Sequence, residues 1–70
     1  MAAFQFIFKG TEDNELSREV IFMKGLGAAK RSAKATAPGN AYKIEITDLM
    51  GKELTRITLS LSNSWHDAIL

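Results

Sequence analysis

The stretch Tyr42-Lys43-Ile44-Glu45-Ile46-Thr47-Asp48-Leu49-Met50-Gly51-Lys52-Glu53-Leu54-Thr55-Arg56-Ile57-Thr58-Leu59 decides how this chain folds. Its first third alternates: Tyr42, Ile44 and Ile46 take one side, and Lys43, Glu45 and Thr47 take the other. Period two is the side-chain repeat of a strand with one face on a core. Asp48-Leu49-Met50-Gly51 follows, with an acid that can bond its own backbone and a glycine that tolerates a left-handed conformation. Alternation then resumes, with Thr55, Ile57, Leu59 and Leu61 against Leu54, Arg56, Thr58 and Ser60. The stretch reads as a β-hairpin.

Working outward toward the N-terminus, Phe4-Gln5-Phe6-Ile7-Phe8-Lys9 is a second alternating run, with three Phe on one side. Gly10-Thr11-Glu12-Asp13-Asn14 is polar and turn-rich, so the chain reverses there. Leu16 to Met23 fits two patterns. As a strand it places Leu16, Val20 and Phe22 on one side and Ile21 and Met23 on the other. As a helix it opens one long element from about Asn14 to Ala37. The cluster Val20-Ile21-Phe22 favours the strand, because β-branched and aromatic side chains suit a pleated surface. Gly25 and Gly27 would also weaken a continuous helix, each by roughly 1 kcal/mol relative to Ala.

From Leu26 to Ala37 the chain is Ala-rich and helical in propensity, with Leu26, Ala29, Ala33 and Ala37 on one face. Pro38-Gly39-Asn40 ends it. In the tail, Ser64 and Asp67 have the spacing of a helix cap, and residues 62–70 read as a short helix. The expected fold is α+β: a four-stranded antiparallel sheet in β-β-α-β-β order, one amphipathic helix on one face and a short C-terminal helix. Residues 1–70 form a single domain. Phe4, Phe6, Phe8, Val20, Phe22, Tyr42, Ile44, Ile46, Ile57 and Leu59 are expected under the helix. Ile7, Ile21, Met23 and Leu54 are expected on the opposite face, as an apolar patch for a partner.

Seventy residues exclude the large enzyme folds, and the absence of cysteine excludes a disulfide scaffold or a thiolate metal site. No apolar run approaches the ~20 residues that span a bilayer. The N-terminal residues lack the pattern of a signal peptide, so a cytoplasmic location is expected. The net charge of +1 conceals an asymmetry. Residues 24–43 hold Lys24, Lys30, Arg31, Lys34 and Lys43 and no acid, while Glu12, Asp13, Glu15 and Glu19 precede them. That split gives the molecule a charge dipole.

Chemistry-bearing patterns are few. Ser64, His66 and Asp67 are residue types of a hydrolase triad, but neighbours so close along one element do not converge. The acidic turn lacks the ligand alternation of a calcium loop. Gly25-Leu26-Gly27-Ala28-Ala29-Lys30 resembles the opening of a dinucleotide fingerprint, but the chain is too short for the sheet that fingerprint serves. What remains there is a helix N-terminus beside cations. Lys24, Gly25, Gly27, Lys30, Arg31 and Lys34 form the candidate anion or nucleic-acid site, read on phosphate neutralisation.

The hairpin Ile46-Thr47-Asp48-Leu49-Met50-Gly51-Lys52-Glu53-Leu54 after a single helix resembles that of several groups of small bacterial proteins with no established activity. The resemblance therefore implies no reaction. The expected function is a non-enzymatic interaction module without metal, cofactor or small-molecule substrate. It is expected to self-associate through a sheet edge or an apolar sheet face, with a homodimer or another protein as its complex. The alternative is a nucleic-acid-binding accessory protein that uses the basic stripe of the helix.

Overall fold

The computed structural model describes residues 2–60 and 64–69, with side chains described up to residue 66. The chain order is β1 (Ala2–Lys9), β2 (Glu15–Met23), α1 (Leu26–Thr36), β3 (Lys43–Thr47), β4 (Glu53–Leu59) and β5 (Trp65–Ile69). All strand pairs are antiparallel, in the spatial order β2-β1-β3-β4-β5. The α+β class holds, as does the ββαββ order of the first five elements. The sheet has five strands rather than four.

The extra strand lies where a C-terminal helix was expected. Trp65–Ile69 pairs with β4, Leu59 opposite Trp65 and Thr55 opposite Ile69. At its start Ser60 N–H donates to the Ser64 carbonyl at 2.8 Å and Ser64 N–H donates to Ser60 Oγ at 3.2 Å. A helix this short has few internal hydrogen bonds to offset its nucleation cost. The free edge of β4 offers a full ladder instead. Leu61, Ser62, Asn63 and Leu70 lie outside the described residues.

The β3–β4 hairpin follows from its turn residues. Asp48 N–H donates to the Lys52 carbonyl at 3.0 Å, and Gly51 N–H to the Asp48 carbonyl at 3.1 Å. The Asp48 carboxylate oxygen Oδ1 accepts from the backbone N–H of both Met50 and Lys52, each at 2.9 Å. Gly51 sits at φ 89°, where a Cβ would be strained.

The core lies between the sheet and α1. Phe6, Ile44, Ile46 and Ile57 are fully buried, with Phe4 and Phe8 close behind, and Ala29 and Ala33 of α1 cover them. Phe6 and Phe8 meet edge to face with centroids 6.2 Å apart. Small side chains on the buried helix face let α1 approach the Phe row, as the spacing of Leu26, Ala29, Ala33 and Ala37 predicts. Because β2 and β3 flank β1, the chain crosses over β1 through α1.

One part of the expected core is inverted. Val20 and Phe22 are 52% and 64% exposed, and Ile21 and Met23 pack against the core instead. The β1–β2 register sets this: Phe4 faces Ile21 and Ala2 faces Met23, which puts the odd residues of β2 beside the Phe row. The turn fixes that register. Gly10 N–H donates to the Asn14 carbonyl at 2.9 Å, and Asp13 N–H to the Gly10 carbonyl at 3.0 Å, with Asp13 at φ 62°. A Cβ on Gly10 would come within 2.9 Å of Asn14 Oδ1, so any other residue there would have to displace the exposed Asn14 side chain. An irregularity at Phe8/Lys9 completes the shift, since Phe8 faces Ser17 and Lys9 faces Glu15. Tyr42, also expected inside, is 41% exposed because it precedes β3 at the end of the sheet.

Candidate interaction surface

A five-stranded open sheet leaves two strands with one unpaired edge each: β2 and β5. Edge strands present a row of backbone donors and acceptors, and proteins usually blunt them with short length, charged side chains, bulges, proline or a covering element. β2 is nine residues long and contains no proline; its charges, Glu15, Arg18 and Glu19, and its irregularity beside Phe8/Lys9 lie in its first half, and Val20–Met23 carries neither. Its side chains toward the face away from the helix include Val20 and Phe22, both exposed. Their neighbours on β1 are Gln5 and Ala3. Farther along, Arg18 faces Ile7 of β1, which is buried. The result is an apolar strip at the rim of the sheet, beside an open backbone edge.

The four residues expected to make an apolar patch on the helix-free face are dispersed. Ile7 lies on that face, opposite Glu45 of β3. Ile21, Met23 and Leu54 pack against the core. Leu54 falls at the irregularity between Ile46 and Thr47, where Ile46 faces Thr55 and Thr47 faces Glu53. Sequence reasoning missed Val20 and Phe22 as exposed. Alternation carries no signal for this, since Arg18 lies on their side of the strand and Glu19 on the other.

Beyond Ile7 the helix-free face is charged. Lys43 Nζ is 2.7 Å from Asp13 Oδ1 and 3.7 Å from Glu45 Oε2; Lys9 Nζ is 3.4 Å from Glu45 Oε2 and 3.9 Å from Asp13 Oδ2. Arg56 pairs with Glu53 at 3.1 Å. The hydrogen bond from Lys43, with the fields of Lys43 and Lys9, holds the Asp13 carboxyl below its ordinary 3.8. The same bond to Asp13 raises the Lys43 ammonium above 10.5. Asp13 thereby ties the β1–β2 turn to β3. These charges satisfy one another, so this part of the face offers a partner little unpaired charge.

The basic residues gather at the helix. Lys24 lies in the link from β2, and Lys30, Arg31 and Lys34 lie on α1. Lys24 and Arg31 are exposed, while Lys30 and Lys34 are half-buried. Gly25 caps the helix in an extended conformation, without a side-chain cap, and its carbonyl accepts from Ala29 N–H at 3.1 Å. A Cβ at Gly25 would meet nothing within 4 Å, and one at Gly27 would meet only Arg31 Nη1 at 3.8 Å. No close packing demands glycine at either place.

A shallow concavity of about 310 Å³ opens at the end of the sheet, lined by Tyr42, Thr58, Leu59, Ser60 and His66. His66 sits opposite Thr58 in the β4–β5 pair. Among the described residues, no group of three or more His, Cys, Asp or Glu is placed to hold a metal ion. No helix among them is long and apolar enough to cross a membrane. Comparison with protein-family models, with curated proteins and with solved structures finds no match to this chain.

Proposed function

We propose that this chain is a small, non-enzymatic interaction module that self-associates through the edge of β2. The carrying observation is the pairing of a long, proline-free edge with the exposed side chains of Val20 and Phe22. Backbone hydrogen bonds across such an edge supply affinity, and the flanking side chains supply specificity. Small domains without disulfides or a structural metal commonly gain stability by oligomerising. A closed pair of β2 strands would also remove an edge that otherwise invites open-ended aggregation.

The test is sedimentation over a hundredfold range of protein concentration, with amide exchange on the same samples. The expected result is a mass that falls on dilution, with exchange protection lost along Glu15–Met23. A monomer at every concentration, at low and moderate salt, refutes the proposal.

A second reading rests on the run of cations on and beside α1, with no acid between residues 24 and 43. Those cations would contact the backbone of a nucleic acid. Under that reading the triple variant Lys30→Ala, Arg31→Ala, Lys34→Ala weakens binding to a mixed-sequence oligonucleotide and flattens its salt dependence. Absence of wild-type binding at low salt removes it.

A further inference from the structure

The geometry points to one arrangement of the self-associated form: two copies of β2 pair antiparallel about a two-fold axis that passes beside Val20. This rests on the proposed self-association and specifies its register.

The backbone restricts the choices first. Along an edge strand, every second residue directs its N–H and C=O outward, and such residues must meet their like on the partner strand. In a two-fold antiparallel pair this places one residue opposite itself and keeps matching sheet faces aligned. Both helices then lie on the same side of a continuous ten-stranded sheet, twice the five strands of one copy.

Charge selects among the remaining registers. With Arg18 or Glu19 on the axis, two like charges stand directly opposite one another, which is unfavourable. With Ile21 on the axis, Arg18 of each copy faces Lys24 of the other, and only residues 19–23 of β2 overlap. With Val20 on the axis, no like charges are opposed and Ser17–Met23 overlaps fully. Val20 then packs on its symmetry mate, and Arg18 lies across from Phe22 in two equivalent pairs. Both residues are exposed on the face away from the helix. A guanidinium over an aromatic ring is attracted to it, and Arg18 is already positioned by Glu15 at 2.7 Å. Extending the register sets Leu16 of one copy opposite Lys24 of the other, with Glu15 next along the strand. The acid that opens β2 thus approaches the cation that follows it, which suits a self-complementary contact.

The chain has no cysteine, so single substitutions report the axis directly. The variants are Glu19→Cys, Val20→Cys and Ile21→Cys, each oxidised under identical mild conditions after its fold and its mass in reducing buffer are measured. Directly opposite residues have Cα atoms about 4.5–5.5 Å apart, within disulfide reach. Residues one position off the axis are ~8 Å from their mates, beyond that reach. Val20→Cys is expected to form a covalent dimer at least about tenfold faster than the other two. Faster crosslinking at residue 19 or 21, or equal rates at all three, overturns the register while the self-association stands. A wild-type chain that stays monomeric overturns both.

Discussion

Replacing Phe22 by alanine separates the two ways of laying β2 on the sheet. If Phe22 belonged to the core, the substitution would resemble other buried Phe truncations and cost about 3–5 kcal/mol. It is instead 64% exposed, so about a third of it is covered. Complete burial of such a side chain stabilises by about 1.5–3 kcal/mol, so a third contributes about 0.5–1 kcal/mol. Loss of an aromatic from a strand adds a few tenths, about 0.3 kcal/mol. The expected loss is therefore about 1 kcal/mol, while Phe6→Ala, at a site with no exposure, costs several-fold more. Urea denaturation at micromolar protein or below measures the monomer. Repeating it at high concentration exposes any part of the loss that depends on association. A loss above about 3 kcal/mol for Phe22→Ala in dilute solution would place Phe22 inside and refute the register of β1 against β2.

Gly51→Ala forces a Cβ into the left-handed region and is expected to cost about 1–2 kcal/mol in thermal unfolding; an unchanged midpoint would refute the turn geometry. Asp48→Ala removes two hydrogen bonds to the same turn and is expected to cost about 1 kcal/mol or more by the same measurement. Lys43→Met removes the main cause of the lowered Asp13 value, so the Asp13 carboxyl, followed by NMR, titrates closer to 3.8. The sign follows: a carboxyl lowered in the folded state adds stability above its unfolded value and loses it as pH falls through the folded one. Acid below 3.8 therefore erodes that contribution in the wild type and leaves less to erode in the variant.

The second hairpin was legible because its information is local. Asp48 and Gly51 specify a turn, and the strands on either side alternate in phase with it. The helix was legible for the same reason, in the spacing of Ala29 and Ala33. The orientation of β2 was not. Both of its sides carry apolar residues, Val20 and Phe22 against Ile21 and Met23, so alternation gives no preference. The choice falls to the Gly10–Asn14 turn and the irregularity at Phe8/Lys9, which act through pairing with β1. The C-terminal segment failed differently. Ser64 and Asp67 mimic a local helix start, and only the edge of β4, contributed by residues 53–59, makes a strand there. At the candidate surface the cations of α1 were readable from composition. The Asp13 contact with Lys43 was not, since it joins a turn to a strand far along the chain.

The crossover of α1 over β1 bears on how the protein is made. β1 holds all three core phenylalanines and is synthesised before the other strands described, yet its second neighbour, β3, is synthesised only after β2 and α1. During that interval the nascent hairpin has an open inner edge on β1 and an uncovered face carrying Phe4, Phe6 and Phe8. A strand edge that is sealed in the finished molecule is thus transiently available to other chains. Any pause that separates the appearance of β1 and β2 from that of β3 would lengthen that exposure and raise losses to aggregation.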